Sequence, residues 1–503
     1  MRRTSTRCWG STFGAVSIPP IVNEPMSSFP PGCPHRAQVE SECRNLRGSV
    51  SECQIVIHGV RYTTDKMWER TIPSDNKHVI ARTYMATPEL AKAAVESSLR
   101  AHAEWSRTSF LDRAAVCLKA AHLITKKYRA QVLARTMLGQ SKNPWQAEID
   151  CVAEAADFLR FNVKYAAQMY NEQPVSPATA NVWNTVEYRP LEGFVASITP
   201  FNFTAIGVNL AIAPVLMGNV TVWKPSPSAI LSNYHMMQIF EEAGLPPGVI
   251  NFLPCEPEVM EREVLGHQML GGMVFTGSTK VFKQINRVIS GNLDVYRNFP
   301  RISGETGGKN FHLLHPSCDI NYAVASTVRS AFEYQGQKCS ACSRVYVPKS
   351  RWAEFKEKLL AAHQKLAMGQ PDDFRSFMCA VIDEAAFRKV SSYIDLAKTE
   401  GGQVLAGGTY DGTKGWFITP TVIVTENPLS TTMREEIFGP VLTVYVYDDK
   451  QWRETLRLVD ETSPYGLTGS VFSDDRSALR EAADALRYTC GNLYINDKST
   501  GAV

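Results

Sequence analysis

Two short segments of the chain carry residues able to do covalent chemistry. In GQKCSACSR, Gly336 to Arg344, Cys339 follows a Gly-Gln pair and precedes small residues and an apolar stretch. A cysteine attacks only as thiolate, so a helix N-terminus or a nearby positive charge is expected to lower its pKa, and the loop after FEYQ is the expected source. Upstream, in GETGGKN, Glu305 sits between glycines just ahead of an apolar run, a carboxylate of the kind that serves as general base. Each element alone is ambiguous. A lone loop glutamate is usually a solvated charge, and Cys339-Ser340-Ala341-Cys342 has the spacing of a redox pair or of half a zinc site. Zinc needs further ligands, and the sequence has no second CxxC. Cys342 is read as a buried structural thiol.

Positioning such residues takes a framework, and the hydrophobic pattern supplies one. Thr87-Pro88-Glu89 reads as an N-cap with proline at the first helical position. Leu111, Ala114, Ala115, Leu118 and Ala121 then recur at helical spacing, so residues 87–170 read as several amphipathic helices. Residues 174–191, rich in proline and β-branched residues with partial alternation, read as a β-hairpin. Beyond them the short apolar runs FVASI, VTVW, VINFL and MVFTG alternate with helical stretches such as Tyr234–Ala243 and Val281–Ile289. After Gly304 a second series follows, FHLLH, SRVYVP, TPTVIV and VLTVYVY. Strands alternating with helices imply βαβ units, hence two α/β domains with parallel sheets.

Composition narrows the partners. With 53 basic and 50 acidic residues the net charge is +3, and no Lys/Arg run forms a stripe for nucleic acid. Residues 194–223 contain no charge, yet Asn202, Asn209 and Asn219, with Pro200 and Pro214, would put unsatisfied polar groups and helix breaks into hydrocarbon. The run is therefore expected to be a buried strand, loop and helix rather than a membrane span. Twelve cysteines spread irregularly over 503 residues suit reduced thiols better than a disulfide scaffold. Arg2, Arg3 and Arg7 precede the first acidic residue, Glu24, so residues 1–23 are expected to be a mitochondrial transit segment, and the matrix the destination.

The chemistry-bearing segments also occur in company. TPFNF (Thr199–Phe203), VWKPS (Val222–Ser226), AGLPPGVINFLP (Ala243–Pro254), FTGS (Phe275–Ser278), the Glu305 and Cys339 elements and EEIFGPV (Glu435–Val441) follow one another in the order found in the aldehyde dehydrogenase superfamily. The chain resembles that superfamily from about Asn23 onward. The resemblance implies a Rossmann-type NAD-binding domain (24–172 and 192–302), an oligomerisation hairpin (173–191) and an α/β catalytic domain (303–503). It further implies Cys339 as nucleophile, Glu305 as the base that activates water, and Asn202 as oxyanion donor. Lys224 and Ser226 are implied at the adenosine ribose, Gly277 and Ser278 at the pyrophosphate, and Glu436 and Phe438 at the nicotinamide ribose. The expected cofactor is NAD rather than NADP, although Pro227 stands where several NAD-preferring relatives carry a glutamate that repels a 2′-phosphate.

Within the superfamily, SAFEYQGQKCSACSR, FPRISGETGGKNFH, LEGFVASITPFNFTAIG and GNLYINDKSTG look most like the branch that oxidises L-glutamate γ-semialdehyde. That likeness implies Phe203 as an aromatic wall and Ser340 with the Thr500-Gly501 loop as anchors for the substrate α-carboxylate. It also implies a homodimer, and a further C-terminal segment that pairs with a partner's sheet. Ala502 departs from the serine of that branch and removes one hydrogen bond to the carboxylate.

Overall fold

The structure is a computed structural model that describes residues 18–177 and 181–500. The apolar runs of the first series are strands: β1 Phe194–Ile198, β2 Thr221–Lys224, β3 Ile250–Phe252, β4 Leu270–Gly277 and β5 Arg301–Thr306. They pair in the order β5-β4-β1-β2-β3, all parallel, and an antiparallel pair, Ile55–Ile57 with Val60–Tyr62, extends the β3 side. No residue of β1 or β2 is exposed, the pattern of strands covered on both faces. The covering helices are α1 Pro88–Trp105, α2 Phe110–His122, α3 Arg129–Gln140, α4 Glu154–Asn171, α5 Thr204–Leu216, α6 Ile230–Ala243 and α7 Thr279–Gly291. Thr87 caps α1 as expected, its Oγ1 accepting the Leu90 N–H at 3.3 Å. The uncharged run 194–223 is β1, a loop, α5 and most of β2, and among the described residues no helix is long and apolar enough to cross a membrane.

The second series forms its own sheet: β6 Phe311–Leu314, β7 Arg344–Pro348, β8 Gln403–Ala406, β9 Thr421–Thr425, β10 Val441–Tyr447, β11 Thr468–Phe472 and β12 Asn492–Ile495. Its order is β8-β9-β10-β7-β6-β11-β12, parallel except for the β8 edge. Helices α8 Ile320–Phe332 and α9 Glu384–Thr399 belong to this unit. Two parallel α/β units are thus present, with one shift of boundary. Strand β5 runs to Thr306 and pairs with β4 so that Glu305 lies opposite Thr276. Glu305 therefore belongs to the exposed edge of the first sheet, not to a loop that opens the second unit at 303.

The expected hairpin at 173–191 is corrected. Among its described residues no strand forms. The two arms do come together, but through side chains: Val186 N donates to Gln173 Oε1 (2.9 Å), Gln173 Nε2 donates to the Val186 carbonyl (3.2 Å), and Asn184 N donates to Ser176 Oγ (3.0 Å). Val175 is 90% and Trp183 83% exposed, so no described residue covers these two side chains to fix a ladder; an isolated two-stranded hairpin is marginal in water. The residues that motivate the transit expectation, Arg2, Arg3 and Arg7, lie outside the described residues, whereas Glu24 is buried between Arg129 and Arg160, at 2.8 Å from each.

Candidate active site

The Cys339 loop begins where α8 ends. Tyr334, Gln335 and Gly336 adopt φ of 51°, 57° and 65°, three successive left-handed residues. Each non-glycine in that region costs roughly 1–3 kcal/mol. At Gly336 a Cβ would also stand 2.3 Å from the Gly439 carbonyl oxygen. The turn is held by buried amides. Gln335 donates to the Ser141 and Ala380 carbonyls (3.0 and 2.7 Å) and accepts from Cys379 N (3.0 Å), while Gln337 Oε1 accepts from Ile382 N (2.9 Å). At about 1 kcal/mol per bond, and more for the penalty of leaving such groups unpaired, these contacts are of the size needed to offset the strain.

Cys339 itself is fixed by Asn310, the last residue of GETGGKN. Asn310 Nδ2 donates to the Cys339 and Ala341 carbonyls (2.6 and 2.9 Å), and its Oδ1 accepts from Leu467 and Thr468 N–H groups (3.0 Å each). Asn310, Gln335 and Gln337 were not singled out from sequence. Their roles depend on partners far along the chain, and the only local hint is a polar residue beside an apolar run.

Cys339 Sγ lies 3.7 Å from Glu305 Oε1, with the thiol as donor. The expected electropositive environment is absent. Burial, and after it the Glu305 carboxylate, push the thiol up to about 12, because both disfavour a thiolate. At rest Cys339 is a protonated thiol hydrogen-bonded to a carboxylate. Accordingly, alkylation of Cys339 by iodoacetamide should be slow at neutral pH and rise towards alkaline pH. Glu305→Gln should speed labelling at neutral pH, since removing the carboxylate lowers the thiol pKa. Labelling of the Cys339 peptide, followed by mass spectrometry across pH, checks this; slower labelling in the variant would show that the carboxylate activates the resting thiol.

Asn202, buried, donates one amide hydrogen to the Gln337 carbonyl at 3.1 Å. An asparagine amide has two donors, so the other remains for charge developing beside Cys339. Cys342 is buried as expected, with Sγ against the Arg344 carbonyl (3.5 Å). Among the described residues no three His, Cys, Asp or Glu side chains are grouped to hold a metal ion.

A cavity of about 430 Å³ runs from Cys339 across the ends of β1, β2 and β4. Asn202, Lys224, Ser226, Gly277, Ser278, Glu436 and Phe438 all line it with Cys339, so residues far apart in sequence are drawn to one crevice at strand C-termini, the usual ligand position in such sheets. Strand β4 ends at Gly277, and Ser278 caps α7 by accepting Val281 N–H at 3.3 Å, leaving first-turn N–H groups for an anion. Glu436 Oε1 accepts from Gly308 N (3.2 Å), and Lys389 Nζ donates to the Glu436 carbonyl (3.0 Å). At Gly307 a Cβ would fall 1.8 Å from Glu436 Oε1, so any side chain there must displace that carboxylate. Burial raises the Glu436 pKa. Phe438, with φ of 59°, stands edge-on to Phe201 at 5.8 Å.

Phe203 and Ser340 lie outside this cavity. Lys142, fully buried and paired with Asp150, sits 4.3 Å from the Phe203 ring centre and 4.2 Å from that of Tyr334; burial brings its ammonium down to about 8. Lys338, next to Cys339, is 3.9 Å from Asp150 and 3.5 Å from Glu333. Burial, then Asp150, raises Glu154 to about 8. Ser340 Oγ is 2.6 Å from Thr500 Oγ1. Gly501 and Ala502 lie outside the described residues.

Comparison with known proteins agrees with this geometry. The aldehyde dehydrogenase family matches residues 61–503. The chain is 48% identical to the mitochondrial delta-1-pyrroline-5-carboxylate dehydrogenase of Dictyostelium discoideum, over all of this chain and 90% of that protein. It is 45% identical to the protein of the same name from Homo sapiens, over 96% of this chain and 86% of that one. The structure of delta-pyrroline-5-carboxylate dehydrogenase from Mycobacterium tuberculosis bound with NAD superposes with a TM-score of 0.94 at 40% identity, covering 98% of this chain and 90% of that one. A thiol, a carboxylate within hydrogen-bonding reach of it and a cavity at the strand ends thus coincide with a sequence match along nearly the whole chain, which belongs to the aldehyde dehydrogenase family.

Proposed function

We propose that the protein is an NAD-dependent dehydrogenase that oxidises L-glutamate γ-semialdehyde, the open form of delta-1-pyrroline-5-carboxylate, to L-glutamate in proline catabolism. The observation that carries the reading is Cys339, with Glu305 at 3.7 Å, in the lining of a cavity of about 430 Å³ at the strand ends. The cavity's residues fit NAD. Lys224 and Ser226 would hold the adenosine ribose, Gly277, Ser278 and the start of α7 the pyrophosphate, and Glu436 and Phe438 the nicotinamide ribose. NAD, when bound, supplies the hydride acceptor.

The chain's own residues supply the rest. Cys339 attacks the aldehyde carbon as thiolate, and Asn202 donates to the oxygen on which negative charge develops. Once the hydride has left, the carbon is held as a thioester on Cys339. Glu305, on an exposed strand edge, takes a proton from water so that hydroxide displaces the thiolate, and it can return that proton to solvent. Phe203 would form an aromatic wall, and Ser340, with Thr500 at 2.6 Å, would anchor the α-carboxylate. Those suit a short aldehyde carrying a carboxylate group.

A panel of aldehydes followed by reduced-cofactor absorbance tests the substrate. Glutamate γ-semialdehyde should exceed an unsubstituted aliphatic aldehyde of similar length by at least about a hundredfold in kcat/KM, because buried polar groups left unpaired by the wrong substrate discriminate strongly. Equal efficiency would leave only the general dehydrogenase reading.

The same reading extends to assembly and location. The exposed arm carrying Val175 and Trp183, and the open β12 edge, support a homodimer in which the arm packs on a second copy. Relatives named mitochondrial, with the basic, acid-poor leader, support the mitochondrial matrix.

A further inference from the structure

Helix α3 ends at Gln140, and the turn that follows ties together the loop that carries Asn202 and the loop that carries Cys339. Ser141 has a φ of 59°, so the chain leaves the helix through a left-handed non-glycine residue, a conformation that persists only where its surroundings hold it. Those surroundings are explicit. Arg70, buried on the strand Met67–Ile72, donates to the Gly139 carbonyl through Nε and Nη2 (3.1 and 2.9 Å) and to the Ile382 carbonyl through Nη2 (2.8 Å). Ile382 N in turn donates to Gln337 Oε1. The Ser141 carbonyl accepts from Gln335 at 3.0 Å, and Asn143 Nδ2 donates to the Ser376 and Phe377 carbonyls (3.2 and 2.9 Å). Residues 139–143 are thereby fixed to the Cys339 side of the site.

The Gln140 side chain, fully buried, reaches the other way. Its Nε2 donates to the Phe201 carbonyl at 2.6 Å, and its Oε1 accepts from Thr204 Oγ1 (2.8 Å) and Ser232 Oγ (3.0 Å). Turning the amide over would set oxygen against oxygen at the Phe201 carbonyl, so its partners determine its orientation. One side chain thus grips Phe201 and Thr204, and Asn202 and Phe203 lie between the two grips. Gln140 does not line the cavity, so it can act on the reaction only through the loop it holds.

We propose that Gln140 is a positioning residue for the oxidation step, holding the Phe201–Thr204 loop at the distance from Cys339 at which the Asn202 amide meets the developing oxyanion. The proposal rests on the reading of Cys339 as nucleophile and Asn202 as oxyanion donor. Such a donor stabilises the transition state only at about 2.7–3.1 Å from the oxygen, and a misplacement of about 1 Å can cost a hundredfold. Asn202 has one further tie, to the Gln337 carbonyl at 3.1 Å, and that carbonyl belongs to the same Cys339 loop. The tie orients the amide, while Gln140 places the backbone from which the amide extends.

A double-mutant cycle on kcat/KM for glutamate γ-semialdehyde, with NAD affinity measured in parallel, tests this in the full chain. Gln140→Met keeps the length and the burial but cannot donate to Phe201, and it should lower kcat/KM by about tenfold or more. The Kd for NAD should stay within about threefold, because Lys224, Ser278 and Glu436 come from other elements. Asn202→Ala should lower kcat/KM by at least about a hundredfold. Adding Gln140→Met to Asn202→Ala should then cost less than about twofold, since no oxyanion donor remains to be misplaced. An equal loss from Gln140→Met in both backgrounds would make Gln140 a general structural residue and overturn the proposal. Where Gln140→Met fails to fold, Ser232→Ala removes one of the two hydroxyls that orient the amide and carries the same cycle, with an expected loss of about threefold that vanishes beside Asn202→Ala. Full kcat/KM in Gln140→Met beside a crippled Asn202→Ala overturns this proposal alone. Full kcat/KM in Asn202→Ala overturns the oxyanion reading, and the positioning role falls with it.

Discussion

Cys339→Ser is expected to reduce dehydrogenase activity to below about a hundredth of the wild-type level, since loss of a covalent nucleophile commonly costs several powers of ten. Serine keeps nearly the size of cysteine, but its hydroxyl is far less acidic and its alkoxide a poorer leaving group, so both halves of the reaction fail. NAD binding should change little, because Lys224, Ser278 and Glu436 come from other elements. Cys342→Ser should cost far less, because its sulfur faces the Arg344 carbonyl in the core behind the loop. Parallel measurement of turnover and of NAD affinity checks both. Activity above a hundredth in Cys339→Ser would remove the nucleophile assignment.

How far such a site can be read from sequence depends on the range of the interactions that build it. Periodicity is local, and β1, β2, β4 and α7 stand where short apolar runs and the Ser278 cap put them. The uncharged run 194–223 also reads correctly, because Asn and Pro within it decide against a membrane. The 173–191 arm was misread as a ladder, since its alternation is real but pairing needs a packed face, and Trp183 and Val175 find none among the described residues. Glu305 was placed in a loop because its strand partner, Thr276, is remote in sequence. Left-handed backbone at Tyr334, Gln335 and Phe438 has no signature, as none is glycine. The sign of the thiol shift was likewise hidden. The same carboxylate can serve as a base and oppose the thiolate, and only its distance from Cys339 shows the second.

That double action shapes what Glu305→Gln should do. The amide cannot accept a proton, so water attack on the thioester should slow by at least about a hundredfold, the low end of general-base contributions. The amide also removes the negative charge that helps hold the Cys339 thiol near 12, so thiolate becomes easier to form at neutral pH and acylation should not slow. The expected trace is a rapid burst of reduced cofactor close to one per active site, followed by a slow steady state, with the acyl group found on Cys339 by mass spectrometry of quenched samples. If Glu305 instead collects the thiol proton as the rate-determining event of the first turnover, the burst itself slows at neutral pH and recovers towards alkaline pH, where solvent removes the proton from the buried thiol. The pH dependence of the burst rate separates those two roles, while the steady-state rate reports deacylation in either case. An unchanged steady state with no acyl adduct would refute both, and Glu305 would then be a solvated carboxylate at the edge of β5 that happens to lie beside the nucleophile.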